Sequence, residues 1–257
     1  MEFILIALIA FGASTLTFFS GFGLGTILLP AFALFFPIHI AIAMTGIVHF
    51  TNNLFKMFLV AKNTDLKVLA RFGVPAIIAS LLGAYLLLNL EIMPSIYSYK
   101  LFDKQFEITP IKLIISIILL TFSILEFVPK FKNLQFDKDK LIYGGLLSGF
   151  FGGLSGIQGA LRTAFLVKSG LSKEAFIATG VVIASLIDIS RLSVYVTRFN
   201  DANLLENLNL LIVAIISAIM GAILGNKLLK KITMKSIQVV VAIMLIIISI
   251  MMGMGVI

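Results

Sequence analysis

Lys56, Arg162 and Arg191 are each embedded in apolar sequence, where a charged side chain is costly and marks a path for ions or polar solutes. Arg191 follows Asp188 by three residues, a helical spacing that puts both on one face and permits an ion pair. Asp188 is also able to take up and release a proton, so Asp188, Arg191 and Lys56 are the candidates for ion coupling. Arg162 has no acidic neighbour in sequence and is the cation best placed to face an anion. The competing reading for Lys56 and Arg162 is that their long stems carry the charge to the membrane surface. His49, with Thr51, Asn52 and Asn53 close by, makes the most polar patch within any apolar segment. At helical spacing His49, Asn52 and Asn53 share a face, which lines a cavity or hydrogen-bonds to neighbouring helices. His39 falls near a loop and reads as solvated.

Two glycine clusters complete the chemistry: Ser20-Gly21-Phe22-Gly23-Leu24-Gly25-Thr26, and Gly152-Gly153-Leu154-Ser155-Gly156-Ile157-Gln158-Gly159. Glycines this dense favour a break in a helix over its continuation. The helix that restarts after such a break presents unpaired N–H groups and a favourable dipole to an anion. The expected substrate site is therefore Ser20, Gly21, Gly23, Gly25 and Thr26 from the first break and Ser155, Gly156, Gln158, Gly159 and Arg162 from the second, with His49 and Asn53. The competing reading is that the glycines serve only close helix packing.

An enzyme reading is weaker. Gly153-Leu154-Ser155-Gly156 matches the GxSG element of rhomboid-type intramembrane proteases, and a nucleophilic serine needs a positioned base. Both histidines precede that serine, the reverse of the rhomboid order, so an intramembrane serine hydrolase at Ser155 is kept only as the alternative. The chain has no G-x-x-x-x-G-K-[ST] element and too few His, Asp or Glu at depth for a metal site. No cofactor, metal or enzymatic activity is expected.

The elements that hold these residues are membrane helices. The chain has 257 residues, 60% hydrophobic and 12% charged, against roughly 25% charged in soluble domains. Its net charge of +8 is dispersed between apolar runs, so no continuous basic face exists for nucleic acid. Zero cysteines remove disulfides and thiol chemistry. Apolar stretches fall near 3–20, 26–36, 38–61, 66–90, 110–129, 141–154, 157–167, 174–197, 204–226 and 236–257. Six of them exceed the roughly 18 residues of a spanning candidate. The early sequence carries only Glu2 as a charge and lacks a basic leader, so its first segment is retained as structure. Internal repetition is visible: Thr45-Gly46 recurs as Thr179-Gly180, 134 residues on, and Gly83-Ala84 as Gly221-Ala222, 138 on. Residues 1–130 and 131–257 are thus expected to be two repeats of one transmembrane domain, each a glycine-broken helical hairpin followed by three transmembrane helices.

Basic residues orient these segments, because short cytoplasmic loops collect Lys and Arg. If each broken pair crossed once, eight basic residues would lie on one side and nine on the other, which is no bias. If each pair instead dips in and returns, loops 62–71, 130–140, 168–173 and 227–235 share one side with thirteen. The other side then keeps Lys100, Lys104, Lys112 and Arg198. The hairpin arrangement is selected, with both termini outside a multi-pass cell membrane. Three crossings per repeat make the repeats inverted, a common plan for secondary transporters with a midplane site.

At the breaks the sequence resembles the sulfite and organosulfonate exporter family (TauE/SafE-type permeases). The first copy reads Ser20-Gly-Phe-Gly-Leu-Gly-Thr-Ile-Leu-Leu-Pro30, then Pro37-Ile-His-Ile-Ala-Ile-Ala-Met-Thr45-Gly46. The second reads Gly149-Phe-Phe-Gly-Gly-Leu-Ser-Gly-Ile-Gln-Gly159, then Leu171-Ser-Lys-Glu-Ala-Phe-Ile-Ala-Thr179-Gly180. The resemblance implies a permease for a small sulfur-containing or carboxylate anion, with the bilayer as its other partner. The second copy departs from it, with Ala164 in place of Pro30's counterpart, and the absence of cysteine disfavours a cysteine-dependent thiosulfate mechanism. Which anion moves, in which direction, and whether the protein is a homo-oligomer stay open.

Overall fold

A computed structural model of the chain describes residues 2–20, 23–127, 135–198, 207–228 and 235–257. Ten α-helices follow in order among them: α1 (Glu2–Ser20), α2 (Leu24–Ala33), α3 (Ile38–Val60), α4 (Leu66–Glu91), α5 (Pro110–Phe127), α6 (Leu141–Ser155), α7 (Gly159–Leu166), α8 (Lys173–Tyr195), α9 (Leu208–Leu228) and α10 (Lys235–Gly253). Both glycine clusters break the helix where expected, between α1 and α2 and between α6 and α7. At 10 and 8 residues, α2 and α7 are only about 15 and 12 Å long, too short to cross about 30 Å of hydrocarbon. Four helical stretches among the described residues are long and apolar enough to cross a membrane: Ile38–Asn63, Leu66–Glu91, Lys173–Tyr195 and Leu208–Gly225. The other two expected spans, α5 and α10, are apolar over shorter described stretches.

Local signals set several boundaries. The Asp65 carboxylate accepts from Lys67 N and Val68 N, both at 2.9 Å, and starts α4; the Ser172 hydroxyl accepts from Ala175 N at 3.2 Å and starts α8. These caps satisfy N–H groups that the first helical turn leaves unpaired. One element has no counterpart in the sequence reading. Residues Tyr97–Leu101 and Lys104–Ile108 form an antiparallel hairpin, β1 and β2, turning at Phe102 and Asp103 with positive φ. The alternation Tyr97, Tyr99, Leu101 and Lys104, Phe106, Ile108 puts one row of side chains on a single face, where Tyr99 stacks on Phe106 at 5.3 Å between ring centroids.

Helix packing pairs the two halves of the chain. α4 lies along α6 and α9 along α1, while α5 meets α10 and α3 meets α8. Exchanging α1–α5 with α6–α10 leaves this set of pairs unchanged. The paired glycines seen in sequence occupy matching places in it: a Cβ on Gly83 would overlap Phe150 O of α6, and one on Gly221 would overlap Phe11 O of α1. Along α6 the stripe Gly145, Gly149 and Gly153 lies directly on the backbone of Phe72, Ala76 and Ser80 of α4. Small residues at four-residue spacing let two helix backbones touch, and dispersion and Cα–H···O contacts then replace the side-chain burial that cannot drive association in lipid. Outward faces carry large apolar side chains, such as Phe58, Val74, Ile78 and Leu82 near one flank and Ile212, Ile216 and Met220 on α9. Ser14, His49, Asn52, Asn53, Lys56, Ser80, Ser148, Asp188 and Arg191 are buried inside.

Gly149→Ala inserts a methyl into the Ala76 backbone and should destabilise by about 1–3 kcal/mol, the usual cost of overpacking. Gly12→Ala meets nothing within 4 Å and should stabilise α1 by about 0.5–1 kcal/mol. Thermal unfolding of the two variants in detergent, read against the parent chain, should move in opposite directions.

Candidate functional site

The centre of the molecule is organised by one carboxylate. Asp188, on α8, is fully buried and accepts on both oxygens. Its Oδ1 takes Arg191 Nε at 3.0 Å, Arg191 Nη2 at 2.9 Å and Gln158 Nε2 at 3.4 Å. Its Oδ2 takes His49 Nδ1 at 2.5 Å and Asn53 Nδ2 at 3.4 Å. A carboxylate is an acceptor only, so the imidazole proton facing it sits on Nδ1. Three expected site residues, His49, Asn53 and Gln158, and two expected coupling residues, Asp188 and Arg191, are thereby drawn into one network. It joins α3, the turn before α7, and α8.

The polar face of α3 extends further. Asn52, with its amide turned to suit its neighbours, accepts from Ser14 Oγ on α1 (3.3 Å) and Lys56 Nζ (3.2 Å) and donates to Ala218 O on α9 (3.3 Å). Lys56 is buried at 5% exposure, so it does not reach the surface. Arg162 is half-buried and donates through Nη1 to Gln158 Oε1 at 3.2 Å; it stays within the network. His39 departs from the solvated reading by pairing with Glu91 at 3.2 Å, which links the start of α3 to the end of α4.

The two helix breaks meet. A Cβ on Gly25 would come within 3.0 Å of Gly156 O, and one on Gly23 within 3.7 Å of Gly159 N. Gly156 has φ +80, a left-handed conformation that glycine adopts without strain. Its missing side chain would also lie 2.6 Å from Arg191 Nη1, so the second tip rests on the guanidinium. The twice-occurring Thr-Gly element supplies the opposite walls: Gly46 packs 3.3 Å from Arg191 Cζ and Gly180 3.6 Å from Arg162 Nε, measured from a Cβ built on each.

The remaining expected residues divide. Thr26 is 2% exposed beside the tip contact. Ser155 is turned into its own tip, donating to Phe151 O at 2.8 Å and accepting from Ile157 N at 3.3 Å. Its hydroxyl is thus engaged by backbone, and the hydrogen bonds of His49 go to Asp188 and Asn53. Ser20 ends α1, and Gly21 lies outside the described residues. Sequence reasoning passed over Tyr195, whose hydroxyl donates to Gly153 O, Ser148, which donates to Gln158 O at 3.1 Å, and Thr45. The Thr-Gly repetition was the available signal for the last of these.

Asp188→Asn would leave the buried Arg191 without its counter-charge, and breaking a buried pair from one side costs about 3–5 kcal/mol. The thermal unfolding midpoint in detergent should fall sharply, and the double variant Asp188→Asn with Arg191→Met should regain much of the loss.

The sequence profile described as Sulfite exporter TauE/SafE matches residues 6–252. No curated protein and no solved structure matches the chain. With nearly its whole length covered, and a helical fold whose long apolar helices suit a membrane, the chain belongs to the TauE/SafE sulfite exporter family.

Proposed function

We propose that the protein is a secondary permease that exports a small anion, sulfite or an organosulfonate, through a site between the two helix breaks near the bilayer midplane. The observation that carries this reading is a charge imbalance. Among the described residues the network around Asp188 gathers two guanidinium groups, those of Arg162 and Arg191, against its single carboxylate, and Arg191 Nη1 has no hydrogen-bond partner. Positive charge held away from water is strongly unfavourable without a partner, and a transported anion supplies that partner. Its exit from a negative-inside cell releases about 2.3 kcal/mol per charge per 100 mV, so the membrane potential suffices to drive export.

In this reading residues 1–130 and 131–257 are inverted repeats that exchange access between the two sides. The exchange-invariant helix pairing and the matched contacts of Gly83 and Gly221 support it. His49 and Asp188, in direct contact, are the pair through which a proton would be coupled to transport. The alternative, a serine hydrolase at Ser155, has no supporting contact, because that hydroxyl is engaged by its own tip.

Purified protein in liposomes should move labelled sulfite or a labelled alkanesulfonate. Arg162→Met should raise KM about tenfold, the worth of roughly one charge-assisted hydrogen bond. Ser155→Ala should retain most of the flux, and its loss together with protein cleavage by the parent chain would favour the hydrolase. Sidedness is open to a direct check because the chain has no cysteine. Cysteines at Asn63 and Lys168 should react with an impermeant thiol reagent only from the cytoplasm, and one at Asp103 only from outside; labelling of Asn63 and Lys168 from opposite sides would exclude the hairpin topology.

A further inference from the structure

Among the described residues, few buried side-chain polar atoms lack a hydrogen-bond partner, and three of them surround the point where the helix breaks meet: Thr26 Oγ1, Thr45 Oγ1 and Arg191 Nη1. Their residues are 2%, 0% and 0% exposed, so bulk water does not reach them. A buried polar group left unpaired costs about 1–3 kcal/mol, more when charged, and such groups call for an explanation. Each belongs to a residue that touches the tip contact, Thr45 through its methyl group. Thr26 Oγ1 is 3.5 Å from a Cβ built on Gly23, Thr45 Cγ2 is 3.5 Å from one on Gly25, and Arg191 Nη1 is 2.6 Å from one on Gly156.

Two comparisons within the chain sharpen the point. Thr45 and Thr179 are the matching members of the Thr-Gly repetition, yet the Thr179 hydroxyl accepts from Asp65 N at 2.9 Å while Thr45 is left open. The Arg191 guanidinium is likewise divided. Its Nε and Nη2 are committed to Asp188, and Nη1 faces the second tip with no partner. The start of α2 adds to these donors, since its N-cap Gly23 carries no side-chain cap and a helix N-terminus favours negative charge.

We infer that Arg191 Nη1, Thr45 Oγ1 and Thr26 Oγ1 are direct ligands of the transported anion, with Arg191 acting as both structural partner of Asp188 and substrate contact. This deepens the permease reading and rests on it. Three donors carried by α8, α3 and α2 match in number the three oxygens of a pyramidal or tetrahedral oxyanion group. Because the tips touch here, the anion enters as they part and is enclosed as they close. Asp188 holds the guanidinium plane still, so that one nitrogen remains directed at the substrate.

The test uses the full chain in liposomes with labelled sulfite and labelled methanesulfonate as probes, and the variants Thr45→Val, Thr26→Val and Arg191→Lys. Valine keeps the shape of threonine and removes a hydroxyl that makes no hydrogen bond within the protein. Each threonine variant should therefore keep or raise the thermal unfolding midpoint while raising KM about tenfold, with the maximal rate within about twofold. A residue that merely packs would not separate these quantities. Arg191→Lys should lose flux further, since a single ammonium nitrogen lacks the planar fork that gives two nitrogens to Asp188 and leaves a third for the anion. Unchanged KM in both threonine variants, in protein that transports normally, overturns the ligand assignment alone. Absence of flux for either probe in the parent chain overturns the permease reading on which it rests.

Discussion

Asp188 joins α3, α8 and the turn before α7 through hydrogen bonds to one side chain. A carboxylate in an apolar interior is tolerable only when its charge is matched and its lone pairs are filled, and here that requires donors from His49, Asn53, Gln158 and Arg191 together. Placing them fixes the rotation of α3 and α8 about their axes and the depth of the turn that precedes α7. The contact of the two helix breaks follows, because Gly156 rests on the guanidinium that Asp188 orients. The network is thus as much an architectural requirement as a chemical one.

Around that centre the forces are those of a protein without water outside. Backbone-to-backbone contact along Gly145, Gly149 and Gly153 holds α6 to α4, where in a soluble protein interlocking leucines would do so. Glycine has two separate uses within one short stretch: Gly153 admits a neighbouring backbone, whereas Gly156 adopts a left-handed turn. The sequence reading set close packing and anion binding as competing uses of these residues. The stripe on α6 takes the packing role, and the tip glycines lie where the two breaks meet.

What could be read in advance was local. The helix breaks follow from glycine density, the common face of His49, Asn52 and Asn53 from helical spacing, and the Asp188–Arg191 pair from a separation of three residues. The long-range consequences were not available by the same route. His49 and Asp188 are 139 residues apart in sequence, and no periodicity states that two helices from different halves will present their polar faces to each other. Thr45 and Thr179 sit in the same short element, yet only packing determines that one hydroxyl meets Asp65 N and the other meets nothing. The β1–β2 hairpin was overlooked because its alternation occupies a few residues between two long apolar runs, where a loop was the simpler expectation.

That hairpin also changes how the neighbouring helices are held. The Tyr99 hydroxyl donates to Met254 O at 2.8 Å, and Lys112 Nζ donates to both Glu107 O (3.4 Å) and Gly255 O (3.5 Å). The residues just past α10 are thereby clasped to the connection between α4 and α5. Without the clasp, the last turn of α10 would be an end prone to fraying. With it, α5 and α10 are braced at one end as well as along their shared face.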